Sequence, residues 1–505
     1  MFQKIREKIC ANKWNVAVLI GLLLLKFAYY HFVLSSCFTV DTYEYIRVDG
    51  FQWLRGVVDQ FRLPFYPFII DLCSVFGAYQ LSVLFLFQFV CSALSVIALY
   101  FVMRKLTDKP AIYLLTTAFY GMCSTVLDWD KTILTESLSL SLTVFMLFGL
   151  VYFIKNNKLR YLAVAVVAAG IGAFTRAIFA LYVGLIFGFL ILRLIFPGEG
   201  SRQQRKSRRC RDAKGLLMAV VPVLLLLGYG VSFFNQYGSF TLSDSSLGQQ
   251  LAIVLEQGYY KDASDEELKA VADDFLLTQQ PVLYQSHIDD MISNVYGDRL
   301  TPEQRQEIDT AVKQYLREED VLDESYIEEL KVYYRQLYGV EDMYSFPAFY
   351  MARCYMVSHY DRDRIERFID EAKSENLFNY LVFVIKSSQS SLLSAYKSVK
   401  GTMPSRILRI IQTTVAPVVK LTVAHGVLIG MLEMLLFLIV LLKRKYAHWL
   451  HLGLSAFILA TTVLSLFGTN GEFGRTAITM YPMLLVTVAM WFSRILDHKR
   501  LGKKS

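Results

Sequence analysis

Runs of about twenty apolar residues recur along this chain, and they constrain its fold more than any other feature. A helix needs about twenty such residues to cross the hydrocarbon of a bilayer, and there the backbone must satisfy its own hydrogen bonds. Spans are expected at 14–36, 80–103, 111–127, 133–154, two within 161–196, then 216–234, 421–442, 449–467 and 476–492. Composition agrees: 54% of residues are hydrophobic and 19% charged, against roughly 25% charged in soluble domains. The expectation is an all-α polytopic membrane protein of about ten transmembrane helices with a helical extracytoplasmic domain. The run at 14–36 is too long for the apolar core of a cleaved signal peptide and lacks a clear cleavage site, so it reads as a retained span.

The net charge of +8 is unevenly spread. Between residues 235 and 400 lie 29 of the 44 acidic residues but only 16 of the 52 basic ones. The excess base falls in short loops: Arg104, Lys105 and Lys109; Lys155, Lys158 and Arg160; and a cluster from Arg202 to Lys214. Basic loops are expected on the cytoplasmic side, which puts both termini inside a multi-pass cell membrane, of the bacterial plasma-membrane kind. Base scattered among spans is a poor footprint for nucleic acid, so no nucleic-acid partner is expected. The loop at 197–215 also suits anionic lipid heads. Lys26 falls inside the first span, where snorkelling and a bundle-facing role are both open.

Three divisions follow. Residues 1–234 form a membrane domain with a first outer loop at 37–79 and seven spans. Residues 235–420 form a mostly helical extracytoplasmic domain, and 421–505 carry three C-terminal spans and a basic tail. In the middle division, capping boxes are expected at Ser264 and Thr301, and helical runs over 323–337 and 360–376. Gly170 and Gly172 suit close helix packing. Of seven cysteines, Cys37 and Cys73 could pair near one face; no CxxC occurs, and His287 with Asp289 and Asp290 reads as a solvated helix face.

Polar clusters flank the spans on the expected outer side. The first loop, FTVDTYEYIRVDGFQWLRGVVDQFRLPFYPF at 38–68, mixes Asp41, Glu44, Arg47, Asp49, Asp59 and Arg62 with many aromatic residues. Asp41 suits a helix N-cap, and the prolines at 64 and 67 break that helix. Asp128, Asp130, Lys131 and Glu136, then Thr175 and Arg176, then Glu472 and Arg475 follow at the ends of other spans. All could converge on one cavity. Glu136 just inside a span is costly unless it pairs or faces water; a structural pairing with Arg176 or Lys131 is equally open. Arg176 and Arg475 suit a phosphate, whose oxygens match the guanidinium fork, or else a headgroup or salt bridge.

DTYEY at 41–45, RLPFYP at 62–67, ILTESL around Glu136, FTR at 174–176, and GEFGR then YP at 471–482 together resemble the GT-C membrane glycosyltransferases. The branch is that of protein O-mannosyltransferases and lipid A aminoarabinose transferases. The resemblance implies a glycosyltransferase (hexosyl- or pentosyltransferase) moving a sugar, with inversion, from a polyprenyl-phosphate donor to a lipid, glycan or protein acceptor at the outer face. It implies a loop carboxylate as general base, Asp41 or its neighbour Glu44. Arg62, Tyr66, Asp128, Glu136, Arg176 and Arg475 would bind substrate, with Arg176 or Arg475 on the phosphate. The superfamily admits a divalent metal, which nothing in this sequence demands. A transporter or flippase for a lipid-linked saccharide is the competing reading, and a polytopic scaffold the third. A transporter needs polar groups through the membrane, whereas an enzyme can keep them on one face.

Overall fold

A computed structural model describes residues 13–34, 42, 45–46, 48–196, 201–273, 352–353, 356–357, 359–390, 426–442, 449–468 and 477–501. Among these, every regular element is a helix. The membrane elements are α1 (Lys13–Phe32), a short α2 (Phe65–Cys73), α3 (Gln80–Leu106), α4 (Pro110–Gly121), α5 (Glu136–Asn156), α6 (Leu159–Ala173), α7 (Ile178–Ile195) and α8 (Arg202–Tyr237). After them come α9 (Ser245–Glu256), α10 (Glu266–Asp273), α11 (Arg362–Glu375) and α12 (Leu377–Ser390), and then α13 (Gly426–Leu442), α14 (Trp449–Gly468) and α15 (Tyr481–Leu501).

A helix therefore lies on each of the ten apolar runs. Among the described residues, seven stretches are long and apolar enough to cross a membrane, with 65–106 counted as one. The other three, α4, α6 and α13, have 12, 15 and 17 residues. Alpha5 is the central helix: 78% of its most apolar stretch is buried, against 11% for α1. Its sequence ESLSLSLT puts hydroxyls into that interior, and two of them bond back along their own helix. Ser141 donates to Ser137 O at 2.9 Å and Thr143 to Ser139 O at 3.0 Å, while the Ser139 hydroxyl is buried without a hydrogen-bond partner among the described residues.

Several expectations change. The basic segment at 202–214 is not a loop; it is the first part of α8, one helix of 36 residues. Ser201 caps it, with Gln204 completing a capping box. At 1.5 Å per residue such a helix is about 54 Å long, well beyond the hydrocarbon thickness, so its charged third extends past the bundle. The third span ends early, at Gly121, and the chain continues as a turn at Ser124–Leu127 and a 3₁₀ turn at Asp128–Lys131. The RLPFYP run starts a helix: Pro64 occupies the N-cap of α2, where a missing N–H costs nothing. Cys73 is a buried free thiol. In the acidic domain the cap of α10 is Asp265, whose Oδ1 accepts from Leu268 N at 3.1 Å, while Ser264 donates instead to Glu371 at 2.6 Å. The run at 360–376 is α11 as expected; the expectations at His287, Thr301 and 323–337 lie outside the described residues.

The two ends of the bundle differ. One carries α3's last turn, α5's C-terminus and the start of α8, and is basic. At the other end, α8 runs into the acidic domain, whose core includes Leu251, Tyr260, Leu268, Ile365 and Phe368. That domain is tied to the first loop: Asp244 N donates to Gln60 O at 2.8 Å, Gln60 Nε2 to Asp244 Oδ2 at 3.0 Å, and Arg362 pairs with Asp244.

Candidate active site

The first loop is held in place by backbone groups. Gly50 N donates to Asp71 Oδ2 at 2.7 Å, and a Cβ on Gly50 would lie 2.1 Å from Phe68 N, so only glycine permits this approach. Phe65 N donates to Phe174 O at 2.9 Å, joining the start of α2 to the turn between α6 and α7. That turn carries Arg176. It closes over Gly172, whose carbonyl accepts from Thr175 N at 2.9 Å and Arg176 N at 2.7 Å. The ring of Phe179 lies where a Cβ on Gly172 would be, 2.2 Å from it. Gly170 faces Pro222 of α8, with 3.2 Å between its built Cβ and the proline's Cβ. Both glycines therefore serve the close packing expected of them.

The loop at 128–132 is folded into the bundle rather than standing above it. Lys26, fully buried in α1, pairs with Asp130 Oδ2 at 2.6 Å, and Ser137 of α5 donates to Asp130 Oδ1 at 2.7 Å. Tyr29 donates to Asp128 Oδ1 at 2.8 Å. Gln88 of α3 donates to the carbonyls of Trp129, Asp130 and Thr132 at 3.4, 3.3 and 3.0 Å, and accepts from Tyr66 OH at 2.5 Å. One amide thus fixes a whole turn. A charge buried among spans needs such partners, so Lys26 resolves to the bundle-facing role.

Of the residues singled out from sequence, several meet here. Glu136 is fully buried at the start of α5, and its Oε1 lies 3.4 Å from Arg176 Nη2. Nη1 of Arg176 is buried and has no hydrogen-bond partner among the described residues. Arg62 lies over the Tyr45 ring at 4.6 Å; Tyr45 meets Tyr66 edge-on at 5.2 Å between centroids. Tyr66 is fully buried, with its hydroxyl on Gln88. Asp128 is buried on Tyr29. Lys131 donates to Leu34 O at 3.1 Å and covers the Tyr30 ring at 4.5 Å. Asp41, Glu44 and Arg475 lie outside the described residues. Thr42, between the two carboxylates in sequence, donates to Ile133 O at 3.2 Å. Beside Arg62 a polar pocket of about 220 Å³ opens, lined by Asp49, Gln52, Trp53, Asp59 and Tyr237 among others.

Sequence reasoning did not single out Gln88, Tyr29 or the pairing of Lys26 with Asp130; a lone amide and a lone ammonium inside apolar spans were the available signals. It also held that polar clusters sit only at the site end. The basic end has two of its own. Arg193, Asp212 and Asn157 form one, at 3.3 and 2.9 Å. In the other, His451 is paired with Glu433, which accepts from Trp491 Nε1 at 2.5 Å, and Arg494 Nη2 lies 2.5 Å from His451 Nε2. Among the described residues, no three His, Cys, Asp or Glu side chains cluster as a metal site. The ammonium of Lys26 occupies the side of Asp130 where a cation would bind, and Asp128 holds a tyrosine, so these carboxylates do not form a donor set.

A buried, charge-paired cluster built from the ends of several spans gives this polytopic membrane protein a candidate site at one end of its bundle. Residues 62–225 match the family model described as dolichyl-phosphate-mannose-protein mannosyltransferase. The match covers about a third of the chain and supports a likeness to the GT-C membrane glycosyltransferases. No curated protein sequence is significantly similar to the chain. Among solved structures it resembles the S. cerevisiae protein O-mannosyltransferase Pmt1–Pmt2 complex bound to the sugar donor. The identity is 15% and the TM-score 0.35, over 47% of this chain and 36% of that one. It also resembles the Archaeoglobus fulgidus oligosaccharyltransferase AglB in complex with an inhibitory peptide and a dolichol-phosphate, at 12% identity and a TM-score of 0.39, over 97% of this chain and 51% of that one. The apo form of the A. fulgidus oligosaccharyltransferase gives 11% and 0.42, over 98% and 52%. The chain spans about half or less of the length of these structures, and the likeness carries no residue correspondence.

Proposed function

We propose that the protein is a glycosyltransferase that moves a sugar from a polyprenyl-phosphate donor to an acceptor hydroxyl at the site end of the bundle. The observation that carries this reading is the guanidinium of Arg176. It is oriented by Glu136 through one nitrogen, while the other is buried without a partner among the described residues. A buried donor left in this way is expensive, and an anionic phosphate would satisfy it. Donors preorganised where charge develops are what departure of a lipid phosphate requires.

In the reaction, the acceptor oxygen bonds to the anomeric carbon as the bond from that carbon to the phosphate oxygen breaks. The phosphate leaves with the electron pair, and the acceptor proton passes to a carboxylate. Asp41 is the base in this reading, with Glu44 as its nearest rival; Thr42 between them is anchored to the carbonyl of Ile133, three residues before Glu136. Arg62 and Arg475 are further substrate contacts, and Asp128 anchors the 128–132 loop through Tyr29. The site end faces outward, with the acidic domain over it and the basic end in the cytoplasm. The acceptor is a lipid, glycan or protein.

The test is to incubate the purified full-length chain with radiolabelled polyprenyl-phosphate sugars and an envelope extract. Transfer of label out of the polyprenyl fraction supports the reading. Label that stays lipid-linked but crosses the bilayer of a reconstituted vesicle would replace it with transport.

A further inference from the structure

A second cavity lies away from the candidate active site. It is an apolar groove of about 200 Å³ between the basic halves of α5, α7 and α14, lined by Leu150 and Ile154, Gly184, Gly188 and Phe189, and Gly453 among others. Glycines shape it. A Cβ built on Gly184, Gly188 or Gly453 would meet nothing within 4 Å, so these positions enclose space rather than closely packed neighbours. A void of this size forfeits the dispersion contacts of its lining. Between spans, the material at hand to fill it is a hydrocarbon chain.

The groove ends at charge. Ile154 is followed by the exposed Lys155 at the end of α5. At the end of α7, Arg209 donates to Leu194 O at 3.2 Å and the half-buried Arg208 lies beside Arg193. Trp449, whose ring meets Phe189 edge-on at 5.9 Å, stands at this mouth as tryptophans do at headgroup level. Toward the active site the groove is blocked by a layer of rings and hydroxyls. Tyr182 is fully buried, bonded to Thr461 at 2.6 Å and Thr479 at 3.2 Å, with Phe179 and Phe457 edge-on against it.

We infer that this groove binds one acyl chain of an anionic phospholipid from the leaflet at the basic end, with its phosphate held by Lys155 and Arg208. The groove itself is no more apolar than the lipid around it, so its contribution is packing. Selectivity for a negative headgroup comes from the cations at the mouth. The Tyr182 layer separates this lipid from a donor held at Arg176.

Native mass spectrometry of the full-length protein in detergent tests this. The probes are phosphatidylglycerol, phosphatidylcholine of the same chain length, and a polyprenyl phosphate. Phosphatidylglycerol should be retained over phosphatidylcholine. Gly188→Leu, which fills the groove from α7, should weaken retention roughly tenfold, and Gly453→Leu should do the same from the opposite wall. Gly21→Leu, at an equally open glycine on α1 outside the groove, should change nothing. Lys155→Ser with Arg208→Ser should erase the preference between headgroups. The inference is overturned if both groove variants retain phosphatidylglycerol as wild type does, if wild type retains neither lipid or both equally, or if the polyprenyl phosphate displaces phosphatidylglycerol. None of these outcomes bears on sugar transfer, which the labelled-donor assay reads separately.

Discussion

Arg209 and Arg211 at the basic end do different work from Arg176 at the site end. At the basic end, Arg211 donates to Asn157 O at 2.7 Å and Arg209 to Leu194 O at 3.2 Å, so each caps carbonyls where a helix ends. These are positions where cations stabilise a helix terminus. At the site end, Arg176 caps no carbonyl among the described residues. It rests on a buried carboxylate and keeps a buried donor that no described group accepts from. The first arrangement closes a structure; the second leaves a recognition group in place. The lesson is that an arginine marks a candidate site by the donor it leaves unsatisfied more than by its presence.

The largest expected effect tests whether the site end is chemical at all. Asp41→Asn should lower sugar transfer by about a hundred- to ten-thousand-fold, the usual contribution of a general base, with melting temperature and donor binding kept. Glu44→Gln is the paired control. If Glu44→Gln is the inactive variant, the base lies one helical turn on; if both turn over normally, the contrast between the two ends loses its functional meaning.

Next comes the scaffold. Removing one partner of a buried ion pair costs about 3–5 kcal/mol, because the other charge is left in a low dielectric. Lys26→Met should therefore strongly lower the melting temperature in detergent, and adding Asp130→Leu should restore part of the loss. An Arg211→Met change at the basic end removes a carbonyl cap and should cost far less. Equal losses would show that the Lys26–Asp130 pair has no special place in holding the 128–132 loop.

A smaller effect is expected at the phosphate. Arg176→Lys keeps the charge but loses the planar fork. Hydrogen bonds to charged groups are worth about 1.5–3 kcal/mol, so transfer at limiting donor should fall roughly tenfold to a hundredfold, with less loss at saturating donor. Arg209→Lys, at the basic end, should transfer normally. Equal activity of both lysine variants would assign Arg176 to packing.

The sequence made the bundle legible because hydrophobic length is a local property: a helix lies on each of ten apolar runs. It was less informative where the answer depended on distant partners. Lys26 and Asp130 are 104 positions apart, and Tyr66 reaches Gln88 only through the packing of α2 on α3. Glu433 and His451 were overlooked because single ionisable residues within strongly apolar runs barely change hydropathy. The basic stretch before the seventh span reads as a loop because its charge outweighs its helix signal, though Ser201 and Gln204 already spell a capping box. The glycines at 170 and 172 are legible as packing positions because close packing depends on the residue itself.

The smallest effect separates the two ends by pH. At the basic end, Arg209 and Arg211 rest on backbone carbonyls, which do not titrate. The acidic domain over the site end is held partly by carboxylates. Arg364 donates to Asp265 at 2.6 and 2.7 Å and to Glu267 at 2.8 Å, and its hydrogen bonds hold Asp265 below the usual carboxylate range. Hydrogen bonds from Ser264 do the same for Glu371. Because the folded values lie below the unfolded ones, both groups contribute stability above the unfolded carboxylate range, and lose it as pH falls through the folded values. Lys373 has the opposite character. Burial lowers it from 10.5 to about 8, so between those values the unfolded chain holds a proton that the folded chain does not, and stability rises with pH across that window. The melting temperature of the full-length protein should therefore drop on acidification below about pH 4 and climb modestly above about 8. Arg364→Leu should flatten the acid limb and leave the alkaline limb intact, and Lys373→Met should do the reverse. If Arg211→Met flattened the acid limb as much as Arg364→Leu, the acid-sensitive contacts would lie at the basic end, and the division between a titrating cover and a carbonyl-capped base would fail.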